Sequence, residues 1–141
     1  MRFLFIPLAM LLASAVNAAD VHRIVLHLDE ADPERQNLVL NNASNINNYY
    51  LDKGEEAEIE IVAYGPGLTL LVPGKSPAGD RVKSISQSYN NVKFKACGNT
   101  LTKMSKKAGK EIKLMPEAEI VPAGVIHLVQ RQEEGWSYIR P

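Results

Sequence analysis

From about residue 20 onward, the hydrophobic positions recur with two periods in turn. Residues 22–29, His-Arg-Ile-Val-Leu-His-Leu-Asp, crowd branched apolar side chains together and predict a first strand. Asp32, Pro33 and Glu34 then supply an N-cap, a proline at the first helical position and an acid in the first turn. Val39, Ala43, Ile46 and Tyr50 follow at helical spacing, and Gly54 is a fitting stop. Asn37, Asn41, Asn42, Asn45, Asn47 and Asn48 weaken this helix intrinsically, so it depends on packing its apolar stripe. Residues 57–64 predict a second strand, in which Glu58 and Glu60 alternate with Ile59 and Ile61 before Val62 and Ala63 make the run continuous. Its start is expected to be half solvated and its end buried.

Gly65-Pro66-Gly67 breaks that strand. Residues 68–72 suit one helical turn, and Ser76-Pro77 opens a helix with Val82, Ile85 and Tyr89 on one face. Val92, Phe94 and Ala96 alternate with Lys93 and Lys95 in a third strand over 92–97. Gly98-Asn99-Thr100 leads into a lysine-rich helix with Leu101, Met104 and Ala108 on its apolar side. A short strand over 118–123, a helix over 125–134 stopped by Gly135, and a last strand or docked tail over 136–139 complete the pattern. Strand and helix alternating throughout means βαβ units joined by right-handed crossovers. The expected fold is therefore α/β: a small doubly wound, mostly parallel five-stranded sheet with helices on both faces. Strand order and the direction of the last strand do not follow from the pattern.

The N-terminus reads differently. Arg2 precedes an almost unbroken apolar run over residues 3–16, which ends in Ala15-Val16-Asn17-Ala18-Ala19. This is the layout of a secretory signal peptide over 1–18, cleaved after Ala18 or Ala19. It predicts a periplasmic or secreted domain over 21–141. The run is shorter than the roughly 20 apolar residues of a spanning helix and contains Pro7, so no stable membrane insertion is expected after cleavage. The whole chain carries 16 basic and 16 acidic residues, which leaves no field to attract nucleic acid.

In an open parallel sheet, ligands bind beyond the carboxyl ends of the strands. Leu28-Asp29, Tyr64-Gly65-Pro66-Gly67, Cys97-Gly98-Asn99-Thr100 and Pro122-Ala123-Gly124 should meet there. Cys97, the chain's one cysteine, is the only intrinsically reactive group among them. A thiolate at a helix N-terminus is stabilised by unpaired N–H groups and the helix dipole. Lys103, Lys106 and Lys107 add positive charge nearby in sequence. The bland alternative is a small buried hydrophobe at a strand end. His27 fits either a base near the rim or a satisfied core histidine, and His127 a surface or packing role. Trp136 and Tyr138 suit the core or a subunit interface. No zinc spacing, Cys-x-x-Cys pair, P-loop or hydrolase elbow is present, so no metal or cofactor is implied.

Four segments together, Val62-Ala63-Tyr64-Gly65-Pro66-Gly67-Leu68, Lys95-Ala96-Cys97-Gly98-Asn99-Thr100, Val121-Pro122-Ala123-Gly124-Val125 and Gly135-Trp136-Ser137-Tyr138-Ile139, resemble the DsrE-like proteins. The resemblance runs from about Val21 to the C-terminus. It implies a flavodoxin-like domain that forms trimers or hexamers. It also implies that Cys97 stands where the sulfur-relay members carry sulfane sulfur as a persulfide, exchanged with a donor or acceptor protein or a small sulfur compound. Cys97 would then be the working residue of a sulfurtransferase-like carrier. Tyr64, Gly65, Gly67, Gly98, Asn99, Thr100 and Gly124 would surround the cargo. Two departures set the chain apart: the export signal, and Gly98-Asn99-Thr100 in place of an apolar helix start. The competing expectation is a non-catalytic small-ligand-binding or assembly module in which Cys97 is merely packed.

Overall fold

The computed structural model describes residues 20–141, so the expected signal segment over 1–18 lies outside the described residues. The elements run β1 (His22–Leu28), α1 (Pro33–Asp52), β2 (Ala57–Ala63), a 3-10 helix (Gly65–Leu71), α2 (Gly79–Ser88), β3 (Val92–Cys97), α3 (Gly98–Ala108), β4 (Ala118–Val121), α4 (Gly124–Glu133) and β5 (Ser137–Ile139). The strands form one all-parallel sheet in the order β4-β3-β2-β1-β5. The chain steps from β1 to β4 in one direction, then returns past β1 to add β5. Right-handed crossovers must therefore place α1, α2 and α3 on one face and α4 on the other.

The two faces bury very different cores. Ile24, Leu26, Leu28, Ile59, Ile61, Phe94 and Ala96 point towards the first face. There they meet Val39, Leu40 and Ala43 of α1, Val82 and Ile85 of α2, and Leu68, Leu70 and Leu71 of the 3-10 helix. Among the described residues, the apolar cluster on the second face is only Val25, Val62 and Leu128, flanked by Tyr64 and Trp136. At about 1.5–3 kcal/mol per large apolar side chain fully buried, most of the hydrophobic stabilisation lies on the first face, and α4 is held by little of it.

Helix α1 begins as its sequence requires: Asp32 Oδ1 accepts the Arg35 amide at 2.9 Å. Its asparagines, poor helix formers, tie it to neighbours instead. Arg81 of α2 donates to Asn37 Oδ1 at 2.7 Å and to Asn41 Oδ1 at 2.8 Å. Asn91, just ahead of β3, donates to buried Asn47 and to the Ala57 carbonyl, each at 2.7 Å.

Two expectations are corrected. The turn placed at 68–72 is a 3-10 helix that already starts at Gly65. It lies so close to the end of β1 that a Cβ on Gly67 would come within 2.3 Å of the Leu28 carbonyl oxygen. Glu60, read as part of a half-solvated strand start, is only 5 % exposed. The alternation of Glu58 and Glu60 is real, but α4 covers the second of them.

Candidate functional site

Cys97 ends β3 and caps α3. Its strand neighbour across the sheet is Val121, the last residue of β4. From these two adjacent strand ends the chain departs to opposite faces, into α3 on one side and α4 on the other. That is a topological switch point, where open α/β sheets form their ligand crevices. Both helices start at the crevice, so the positive ends of two helix dipoles converge near one sulfur.

The Cys97 Sγ accepts the Thr100 amide at 3.5 Å, the geometry of a thiol serving as an N-cap. Burial pushes the Cys97 thiol up. The Thr100 hydroxyl and the amides of Gly124, Thr100 and Asn99 outweigh that effect and hold it below the ordinary thiol value. The lysines are not the cause: Lys106 and Lys107 lie in the last turn of α3, away from the sulfur. Cys97 is 5 % exposed. Its roof is the start of α4 and the Tyr64 ring, since a Cβ on Gly124 would meet Tyr64 at 3.0 Å and the Cys97 Cβ at 3.2 Å.

The other rim segments do meet at this point. Thr100 Oγ1 accepts the Gly65 amide at 2.9 Å, which joins the end of β2 to the start of α3. The Asn99 amide donates to the Pro122 carbonyl at 3.2 Å, and the Gly67 amide to the Tyr64 carbonyl at 3.1 Å. Gly98 backs onto the Val121 carbonyl, 3.1 Å from where a Cβ would sit. The amides of Gly65, Gly67 and Asn99 thus have partners within the fold; Gly67 and Gly98 serve close packing, and Gly65 a left-handed backbone with φ 53°. The Thr100 amide addresses the sulfur itself.

A polar cluster adjoins Tyr64. The His27 ring stacks on Tyr64 at 4.7 Å, and its Nδ1 lies 2.6 Å from the Tyr138 hydroxyl. His27 is 7 % exposed, and its Nε2 has no hydrogen-bond partner; the Asp29 carboxylate stands off at 3.9 Å. Burial is the main reason its pKa is lowered; Asp29 opposes the shift and Arg140 adds to it. His27 is therefore a half-satisfied buried histidine near the rim. Arg140 pairs with Asp29 at 3.0 Å.

Sequence reasoning missed a charged cluster under α4. The Glu60 carboxylate is gripped by Arg131, with Nε and Nη2 each at 2.9 Å, and by His127 Nε2 at 2.6 Å. Lys95 Nζ is 3.8 Å from Glu60 and pairs with Glu119. His127, assigned a surface or packing role, is instead a partner of a buried carboxylate. The available signal was the four-residue spacing of His127 and Arg131, which puts both on one helix face. Trp136 packs on the second-face core with the Arg131 guanidinium 4.8 Å from its ring centre.

A groove of about 980 Å³ opens at the opposite end of the sheet among Glu58, Asn91, Lys93 and Trp136, and it reaches none of the rim residues. Among the described residues no cluster of His, Cys, Asp and Glu could hold a metal ion, and no helix is long and apolar enough to cross a membrane.

A model of the DsrE/DsrF-like family matches residues 5–141. The solved structure of MTH1491 from Methanobacterium thermoautotrophicum, a protein of unknown function, superposes with a TM-score of 0.70. It is 36% identical over 85% of this chain and 99% of that one. No curated protein matches. With sequence and fold in agreement along the domain, the chain belongs to the DsrE/DsrF-like family.

Proposed function

We propose that this protein is an exported sulfur carrier in which Cys97 takes up sulfane sulfur as a persulfide and passes it on. The observation that carries the reading is the position of Cys97 at the mouths of two helices: its sulfur accepts the Thr100 amide of α3 at 3.5 Å, and the first residue of α4, Gly124, packs against it. Donors in this arrangement favour a thiolate, and a persulfide anion is a similar diffuse charge. The Cys97 thiolate attacks the outer sulfur of a persulfide or polysulfide donor. The donor's S–S bond breaks, and its electron pair leaves on the donor thiolate. In the second half, an acceptor thiolate attacks the outer sulfur on Cys97 and the Cys97 thiolate departs. Neither half needs an outside oxidant or reductant.

Mass spectrometry after incubation with polysulfide or thiosulfate tests this. The expected result is one or more added sulfur atoms on Cys97, absent in Cys97→Ser. An unmodified Cys97 that titrates like a free peptide thiol ends the proposal. Self-association belongs to the same reading. Its support is the outward face of α4, where Val125, Ile126 and Val129 are exposed beside the rim. Light scattering at micromolar concentration should give a trimer or hexamer, and Val129→Glu should shift it towards monomer; a wild-type monomer removes this part.

A further inference from the structure

Helix α4 is amphipathic the wrong way round. Its inward residues include two polar side chains, His127 and Arg131, while Val125, Ile126 and Val129 face outward. Only Gly124 and Leu128 are buried along its length. A helix with one substantial apolar anchor is weakly held by burial alone. What else fixes it to the sheet is the Glu60 carboxylate, which takes a two-pronged grip from Arg131 and a third contact from His127. Both side chains lie one to two turns beyond Gly124 on the same helix, so the grip sets the height and tilt of the helix start. That start roofs Cys97 with no slack, as the 3.0 Å and 3.2 Å approaches of a Gly124 Cβ to Tyr64 and Cys97 show.

We propose that Glu60 is a positioning residue for Cys97: by tying His127 and Arg131 to the sheet, it holds the first turn of α4, and with it Gly124, packed against Cys97. Glu60 does not touch the cargo. It acts through a helix, from strand β2 to the end of β3. The functional consequence rests on the sulfur-carrier reading, but the positioning itself does not, because it is read on the unloaded thiol.

The sign of the effect separates this mechanism from plain electrostatics. Replacing Glu60 by glutamine removes a negative charge and leaves Arg131, Lys95 and a protonatable His127 without their shared anion. Through space, that change favours the Cys97 thiolate. Loosening the helix start withdraws the Gly124 amide and disfavours it. The proposal predicts that the second effect wins. In Glu60→Gln, the pH at which Cys97 alkylation by iodoacetamide reaches half its maximum should rise. The rate at a fixed lower pH should fall about tenfold, the size expected for losing one hydrogen bond to a charged acceptor. His127→Gln, which keeps the Arg131 fork, should move the same way by less, and it serves if Glu60→Gln does not fold. An unmoved or lowered inflection in the folded variant, even with a lower Tm, overturns the proposal. Because no sulfur donor is present, that failure would leave the persulfide test of Cys97 untouched.

Discussion

Thr100 is the most informative single side chain, because one hydroxyl performs two tasks. It is the strongest influence holding the Cys97 thiol below its ordinary value, and its oxygen accepts the Gly65 amide at 2.9 Å. Thr100→Val keeps the volume and removes both. A hydrogen bond to a charged group contributes about 1.5–3 kcal/mol. The backbone amide of Thr100, 3.5 Å from the sulfur, remains and softens the loss, so the low end applies. About 1.4 kcal/mol corresponds to a roughly tenfold smaller thiolate fraction at a fixed pH below the inflection. Iodoacetamide should therefore modify Thr100→Val about tenfold more slowly at such a pH. The variant also strands the part-buried Gly65 N–H, which costs about 1–3 kcal/mol and lowers the Tm by several degrees. Thr100→Ser should restore both properties. If Thr100→Val is alkylated as fast as wild type while its Tm falls, the hydroxyl only holds Gly65, and the account of the sulfur is wrong.

Three further outcomes are expected. Tyr64 roofs a cysteine that is 5 % exposed, so Tyr64→Ala should speed alkylation of Cys97 by about an order of magnitude above pH 9, where thiolate is abundant; an unchanged rate would place the entry path elsewhere. Gly67→Ala would force a Cβ to 2.3 Å from the Leu28 carbonyl, and it should cost more than about 3 kcal/mol, read as loss of folded yield or a large drop in urea midpoint. Burial raises the Glu60 pKa, but Arg131 and His127 more than offset it, and the folded value lies below the ordinary 4.5. Its contribution to stability is therefore complete above about pH 4.5 and is lost as pH falls through the lower folded value. Urea unfolding followed from neutral pH downward should show this acid slope in wild type and a shallower one in Glu60→Gln; equal slopes would mean that the pair contributes nothing.

The elements were legible because their signals are local. Asp32-Pro33-Glu34 marks the start of α1, and the alternation of Val92, Phe94 and Ala96 marks β3. The place of Cys97 at a strand-to-helix junction followed from the same local reading. Strand order is a non-local property that no short window encodes. For that reason the sequence brought Gly124 to the shared rim but could not set the start of α4 directly beside the sulfur. The start of α4 reaches Cys97 only because β4 lies beside β3. Glu60 was misread for a related reason: alternation tells which side chains share a face, not what covers it. The glycines of the rim looked suited to ligand approach, yet Gly67 and Gly98 face backbone carbonyls. A glycine in sequence does not distinguish a close ligand from a close strand.

The most direct measurement is the ionisation of Cys97 in the unloaded wild-type protein, followed by thiolate ultraviolet absorbance with Cys97→Ser subtracted. Two converging helix starts should bring the inflection below that of a free cysteine. An inflection at or above the free value would mean that burial dominates and that Cys97 is a packed side chain, with no part in carrying sulfur.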